Sequence, residues 1–453
     1  MTSPLSGHLA ALAERLRGTV LTPGSPSYDP SRRVWNGMVD KRPAALVRCA
    51  AEEDVALAVA FAREHGLPLA VRGGGHSISG VCLCDGGIVV DFSDMRSVSV
   101  DPVCRTATAG AGARLGDFDA ATQEHGLATT MGVNTDTGIA GLTLGGGVGR
   151  LGHKHGLACD NLLSARVVLA DGRAVTASTD EHPDLFWALR GGGGNFGVVT
   201  HFTYRLHPLG PTITGGLLVY DWRDARAAMQ LYARYLPQAP EDVDVLGVLL
   251  TLPGQGPAFA MAVFHGGNEA AAEADLQPLR RGSPKPLQDA IGRMPYVDLQ
   301  ASADDLFLPG RRFYWKTHFL HRLDDGLIDV LLDRFEHVPS PQSLIAMQPL
   351  GGAIARVPVG ATAFANRDAM IDLIPTSIWE DHATDAANIT WVRDIWQASR
   401  RFSTGGVYVN NLGDEGDERV QDAYGANFRR LIEVKTKYDP DNVFRMNQNI
   451  RPA

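Results

Sequence analysis

The stretch Val71-Arg72-Gly73-Gly74-Gly75-His76-Ser77 sets three consecutive glycines between an apolar run and a lone imidazole. Glycine reaches positive φ and lets a ligand come up against the main chain. Successive N–H groups in such a turn form a concavity that attracts phosphate. The chemistry on offer is the holding of a polyphosphate-bearing group. A glycine-rich turn followed by a surface histidine is the alternative.

Two more glycine tracts strengthen the first reading. One spans Gly132 to Gly149 and contains Asn134, Thr137, Gly138, Gly141, Gly145, Gly146 and Gly147; the other spans Gly191 to Val199 and contains Asn195 and Gly197. Glycine this dense in an apolar context implies backbone lying against a ligand. Neither tract follows the dinucleotide fingerprint, which needs a strand, a helix and an acidic residue about 20 positions on. No G-x-x-x-x-G-K-[ST] sequence is present, which argues against a P-loop hydrolase. Tyr314 and His318 sit an even number of residues apart on an expected strand, so they share one face and are candidates to line a pocket, while Trp315 faces the other way.

The elements that must position these residues alternate between helix and strand. Apolar Val55, Leu57, Ala58, Val59, Phe61 and Ala62 recur at helical spacing over Glu53 to His65, and Gly66 can close that helix. Leu67 to Val71 is then a short buried strand that delivers the chain into the Gly73 turn. Further strands are expected at 87–92, 97–100 and 106–109, with a helix at 115–124. Residues 165–170 and 173–177, joined by Asp171-Gly172, read as a hairpin. From 211 onward, strand and helix patterns come in two similar rounds, the second beginning with a strand over Phe313 to Leu320 and including a strand at Met370 to Pro375. This mixture defines an α+β chain, not a uniform βαβ repeat.

The 453 residues, 44% of them hydrophobic, can bury a large core. A net charge of -9 without any Lys/Arg run argues against nucleic-acid binding. The N-terminal stretch from Met1 lacks the apolar segment of a secretory signal, and no apolar run reaches membrane-spanning length. The expectation is a cytoplasmic chain with small-molecule partners, no nucleic acid and no membrane; its oligomeric state is not encoded legibly. Five cysteines, an odd number, read as reduced thiols, and the Cys82-x-Cys84 pair has no second pair to complete a metal site.

Taken in order, Arg72 to Ser77, Gly132 to Gly147, Lys154 to Asn161, Asp184 to Val199 and Lys437 to Ile450, including Asn447, resemble the FAD-linked oxidases of the vanillyl-alcohol-oxidase/para-cresol-methylhydroxylase superfamily. Within it the chain is similar to the berberine-bridge-enzyme-like branch, near bacterial 6-hydroxynicotine oxidase and polyketide-tailoring flavoenzymes. The resemblance implies two lobes. An FAD-binding lobe of two α+β subdomains occupies 1–210, with its core at about 40–210. A substrate lobe with an antiparallel sheet backed by helices occupies 211–404, and a segment at 405–453 returns to the FAD lobe.

It also implies roles. His76 matches the histidine that carries a covalent flavin, and Asn134 stands where doubly linked members have a cysteine, so a single linkage is expected. The glutamate that serves as base in the alkaloid-cyclising members has no counterpart in Val357 to Asn366. Tyr408, followed by Asn410, matches a tyrosine at the flavin face; it is read as the base or as a packing tyrosine at the lobe junction. Thr137 marks oxygen handling in some relatives or serves the turn it lies in. The implied activity is oxidation of a C–H beside an alcohol or amine of a small secondary metabolite, with O2 reduced to H2O2. The alternatives are an oxygenase acting on a polyketide-like substrate and a non-catalytic flavin-binding protein.

Overall fold

The computed structural model describes residues 4–413 and 415–453; Met1 to Ser3, part of the N-terminal reading above, lie outside the described residues. The chain is α+β and bilobal. A four-stranded sheet carries Ile88–Asp91 between the parallel strands Ala45–Arg48 and Leu69–Arg72, with Thr19–Leu21 antiparallel at its edge. Its central strand is buried throughout, as parallel strands flanked by other elements require. The helix Glu52–Glu64 packs its apolar stripe on this core, and three acids in its first turn suit the positive end of the helix dipole. A second, five-stranded antiparallel sheet contains the expected hairpin, with Leu162–Val168 paired to Ala174–Ser178.

The other lobe is built on a nine-stranded antiparallel sheet. Strand alternation sorts its two faces. Val245, Leu249, Ile345, Met347, Ile371 and Leu373 point to the helices Ala225–Tyr235, Asp325–Phe335 and Asp385–Ser399, with which they form one core. The intervening residues alternate onto the opposite face, which meets the first lobe where Phe313 stacks on Trp35. The expected strand Phe313 to Leu320 is two pieces, Arg312–Trp315 and His318–Leu320, separated at Lys316 and Thr317. Both pieces pair with Ile371–Trp379.

The last 50 or so residues pack back on the first lobe through buried polar bonds. Lys435 and Asp439, both fully buried, form an ion pair at 2.6 Å, and the ammonium also donates to the carbonyls of Asn195 and Phe444. Asp439 in turn accepts from the amides of Val443 and Phe444. Every donor is matched, which is the condition for a buried charge to be tolerated. Replacing Lys435 with methionine would leave the carboxylate buried without its cation. A loss of about 3–5 kcal/mol is expected in urea unfolding, and a loss below about 1 kcal/mol would refute this account of the pair.

No helix among the described residues is long and apolar enough to cross a membrane, and no described His, Cys, Asp and Glu residues cluster as a metal site.

Candidate active site between the lobes

The glycine tracts meet. An added Cβ at Gly74 would lie 2.4 Å from the backbone nitrogen of Gly138, and one at Gly138 would lie 2.3 Å from that of Gly74. Only hydrogen fits at either position, so the first turn and the second tract run backbone to backbone. Gly138 precedes the short helix Ile139–Leu144, and Gly146 and Gly147 then take positive φ values of 133° and 88°. A Cβ at Gly146 would meet Phe364 and Tyr408, and one at Gly145 would meet Asn410. Arg72 ends its strand by donating to the Ser31 carbonyl, and its Nε is buried without a partner. Ser77 accepts from the Val81 amide.

His76 lies at the edge of this region with 14% of its side chain exposed. Its ring stacks on Trp35 at 4.8 Å, and its Nε2 lies 3.1 Å from Asp136 Oδ2. Arg114 binds the other Asp136 oxygen. Burial first, and Arg114 second, push the imidazole down to about 3, so it is neutral at physiological pH. Asn134 and Thr137 shape the turn that presents Asp136: the Asn134 side chain accepts from the Asp136 amide, and Thr137 N donates to the Asn134 carbonyl. Asp304 of the other lobe straps this turn by binding the amide and hydroxyl of Thr135.

Tyr408 and Asn410 stand opposite. The Tyr408 oxygen accepts from Gly147 N at 2.8 Å and from Asn410 Nδ2 at 2.9 Å, which fills its acceptor positions and leaves its own proton unassigned. Burial pushes this hydroxyl well above the ordinary phenol range, so Tyr408 rests as a phenol.

Several expected site residues serve the framework. Asn195 is fully buried, donates to the Gly192 and Gln448 carbonyls, and accepts from Ile450 N. Gly197 and Val199 belong to the buried sheet region, where a Cβ at Gly197 would strike Val167. Gly132 gives its carbonyl to Gln300, and Gly141 has open space where a Cβ would be. Asn447 ties the tail to the Gly194 and Phe444 carbonyls, but its Oδ1 is buried without a partner.

Tyr314 and His318 are corrected by their placement. They share a face, as the spacing requires, but that face meets the helix Asp385–Ser399. The Tyr314 hydroxyl accepts from Arg393 at 3.1 Å, and the His318 ring stacks on Trp396 with Nε2 3.0 Å from its carbonyl. Trp315 and Phe313 are the residues that turn toward Trp35, at ring distances of 5.8 and 3.6 Å. The tight Phe313–Trp35 stack explains the choice, since it seats the strand against the first lobe.

A carboxylate absent from the expectations also faces the first lobe. Asp372, fully buried on Ile371–Trp379, accepts from the Thr317 hydroxyl and from Asn411 Nδ2 at 3.0 Å. Burial raises it to about 7, against the lowering by these two bonds. Val357 to Asn366, where a base was sought, is no strand of the substrate sheet. It is a connection that seats Phe364 against Tyr408 and beneath Gly191. A lone acid amid the apolar residues of the expected strand Met370 to Pro375 was the available signal.

Backbone cradles that only glycine permits, unpartnered buried acceptors in the tail and an imidazole at the cradle's edge together fit a large phosphate-bearing cofactor with a flat ring system. Residues 43–178 match the model of an FAD binding domain, and 407–451 match berberine and berberine-like proteins. FAD-linked oxidoreductase pgmH of Aspergillus terreus is 34% identical over 98% of this chain and 95% of its own length. (R)-6-hydroxynicotine oxidase of Paenarthrobacter nicotinovorans is 30% identical over 96% and 97%. Among solved structures, 6-hydroxy-D-nicotine oxidase from Arthrobacter nicotinovorans superposes with a TM-score of 0.89 at 29% identity, covering 97% of this chain and 98% of its own. A chitooligosaccharide oxidase shares the fold, with a TM-score of 0.89 at 23% identity over 98% and 99%. The chain belongs to the berberine-bridge-enzyme-like FAD-linked oxidoreductases.

Proposed function

We propose that the protein is an oxidase that converts a C–H bearing an alcohol or amine to the carbonyl or imine and delivers the electrons to O2 as H2O2. Bound FAD supplies the hydride acceptor and the route to oxygen; the protein supplies attachment, orientation and proton handling. The observation that carries the reading is Asp372, a buried carboxylate held near neutral pH on the sheet face that looks toward the glycine cradle. A base is most effective when its pKa is near the working pH. Asp372 has one hydrogen bond on each oxygen, so each keeps a lone pair able to take the substrate's O–H or N–H proton as the hydride leaves carbon. Tyr408 stays protonated and is assigned to positioning, with its free O–H available to a substrate or cofactor acceptor.

The cradle is proposed to comprise Arg72 to Ser77, Gly138 and Gly145 to Gly147, with Asn410 and Asn447 at its edges. His76 is the attachment residue. With Nε2 donating to the Asp136 carboxylate, Nδ1 is the ring nitrogen left free and would be the atom that holds the cofactor. Asn134 offers no thiol, so the linkage is single.

The oxidase reading is tested by reducing the holoprotein anaerobically with substrate and then admitting air. Hydrogen peroxide equal to product is expected, and labelled oxygen recovered in the product would overturn it in favour of an oxygenase. The buried Asp372 removes the reason for supposing a flavin lobe without turnover, which was the lack of any acid in Val357 to Asn366.

A further inference from the structure

The central strands of the large sheet carry side chains that are left partly exposed on the face toward the first lobe. Leu246 and Val248 of Val243–Leu252 alternate with buried neighbours, as do Ala346 and Ile374 on the next two strands. Register makes them one surface, because Val248 faces Ala346 and Ala346 faces Ile374. Partial exposure in the middle of a nine-stranded sheet, on the side covered by another lobe, marks a space between the lobes.

Two contact chains bracket that space. At one end Asp372 reaches Asn411, whose neighbour Asn410 holds Tyr408. At the other, Trp315, paired with Thr376, approaches Trp35, which stacks on His76. Asp372 and Thr376 are four residues apart on one strand, so the span is about 13 Å, enough for two or three fused rings.

The chemistry of the wall is one-sided. Apart from Asp244, which faces Arg150 at the lobe junction, polar groups on the inward face of these strands are limited to Gln348, Asp372, Thr376 and the Trp315 N–H, which is buried without a partner. No lysine or arginine points inward. A sugar chain presents several hydroxyls per ring and would lose most of their hydrogen bonds here. A carboxylate would meet Asp372 at one end, and the one cation bordering the wall, Arg150, is already faced by Asp244.

We propose that the substrate is a flat, predominantly apolar, uncharged molecule of two or three rings, its oxidisable alcohol or amine directed to the Asp372 end and one acceptor atom to the Trp315 N–H. The chain is thus set apart from fold neighbours named for oligosaccharides. This inference rests on the oxidase reading for which end reacts, and on the wall alone for what binds.

The test titrates the holoprotein with 2-naphthalenemethanol and, separately, with xylobiose, recording the flavin's visible band for binding and its anaerobic bleaching for turnover. Naphthalenemethanol should perturb the band, and xylobiose should not at about a hundredfold higher concentration. Val248→Asp should weaken naphthalenemethanol at least about tenfold with the flavin spectrum and melting temperature retained, and the milder Val248→Thr should weaken it less. Xylobiose binding as tightly, binding of neither probe, or indifference to both folded variants would overturn the proposal. Naphthalenemethanol binding without bleaching would support the wall while counting against the oxidase reading. Xylobiose bleaching alone would support the oxidase reading and overturn the wall.

Discussion

Asp372→Asn is expected to slow anaerobic flavin reduction by substrate by about a hundredfold to ten-thousandfold, with little change in substrate affinity. Asparagine is nearly isosteric and keeps an acceptor for Asn411. The Thr317 hydroxyl can turn from donor to acceptor, so the pocket has no reason to collapse. What disappears is the group that takes the proton. In the wild type the rate should rise with pH through about 7, the point to which burial lifts this carboxyl, and the variant should lose that rise.

Stability supplies an independent signature. The folded-state pKa lies above the ordinary 3.8, so between those values the folded chain binds more protons than the unfolded one. Asp372 therefore costs the wild type stability as pH climbs from about 4 to about 7. Asparagine carries no such cost, so the variant should gain relative stability at pH 8 but not at pH 4. A rate loss under about threefold with an unchanged pH profile would remove Asp372 from the role of base.

His76→Ala is expected to abolish acid-stable colour. Wild-type protein precipitated in acid should keep its yellow flavin in the pellet, because a covalent bond survives unfolding whereas a cradle does not. The variant should stay yellow while folded, since Gly74, Gly138, Gly146 and Gly147 still shape the backbone around the cofactor, and should release all colour in acid. Its flavin should also titrate at a lower reduction potential, because the attachment withdraws electron density from the ring. Colour that washes out of the wild-type precipitate would refute the linkage.

The glycine tracts were legible because their physical demand is local. Positive φ at Gly146 and a backbone-on-backbone approach at Gly74 can be met by one residue type, so sequence alone points to them. The helix over 52–64 and the 162–178 hairpin were legible for a similar reason, since periodicity and Asp171-Gly172 lie within each element. Facing was not. Two-residue alternation correctly put Tyr314 with His318 and Trp315 opposite, but the side that meets the flavin lobe is decided by Trp35, some 280 positions away, stacking on Phe313. Asp372 was missed because its meaning lies in burial and in Thr317 and Asn411, neither of which a strand pattern reveals. Asn195 shows the reverse: a residue in a glycine-rich motif whose amide is spent on the tail.

The return of the tail governs the order in which the molecule can be made. Asn195 waits for Gln448 and Ile450, and its carbonyl waits for Lys435, partners separated from it by 240 to 255 residues. Contacts this distant form late and slowly, because the intervening loop must close before they are rewarded. During synthesis the first lobe emerges early but remains unlatched until the substrate sheet has been threaded and the final helix delivered. The first lobe is thus completed only by the finished chain, and cofactor loading is expected to follow release from the ribosome.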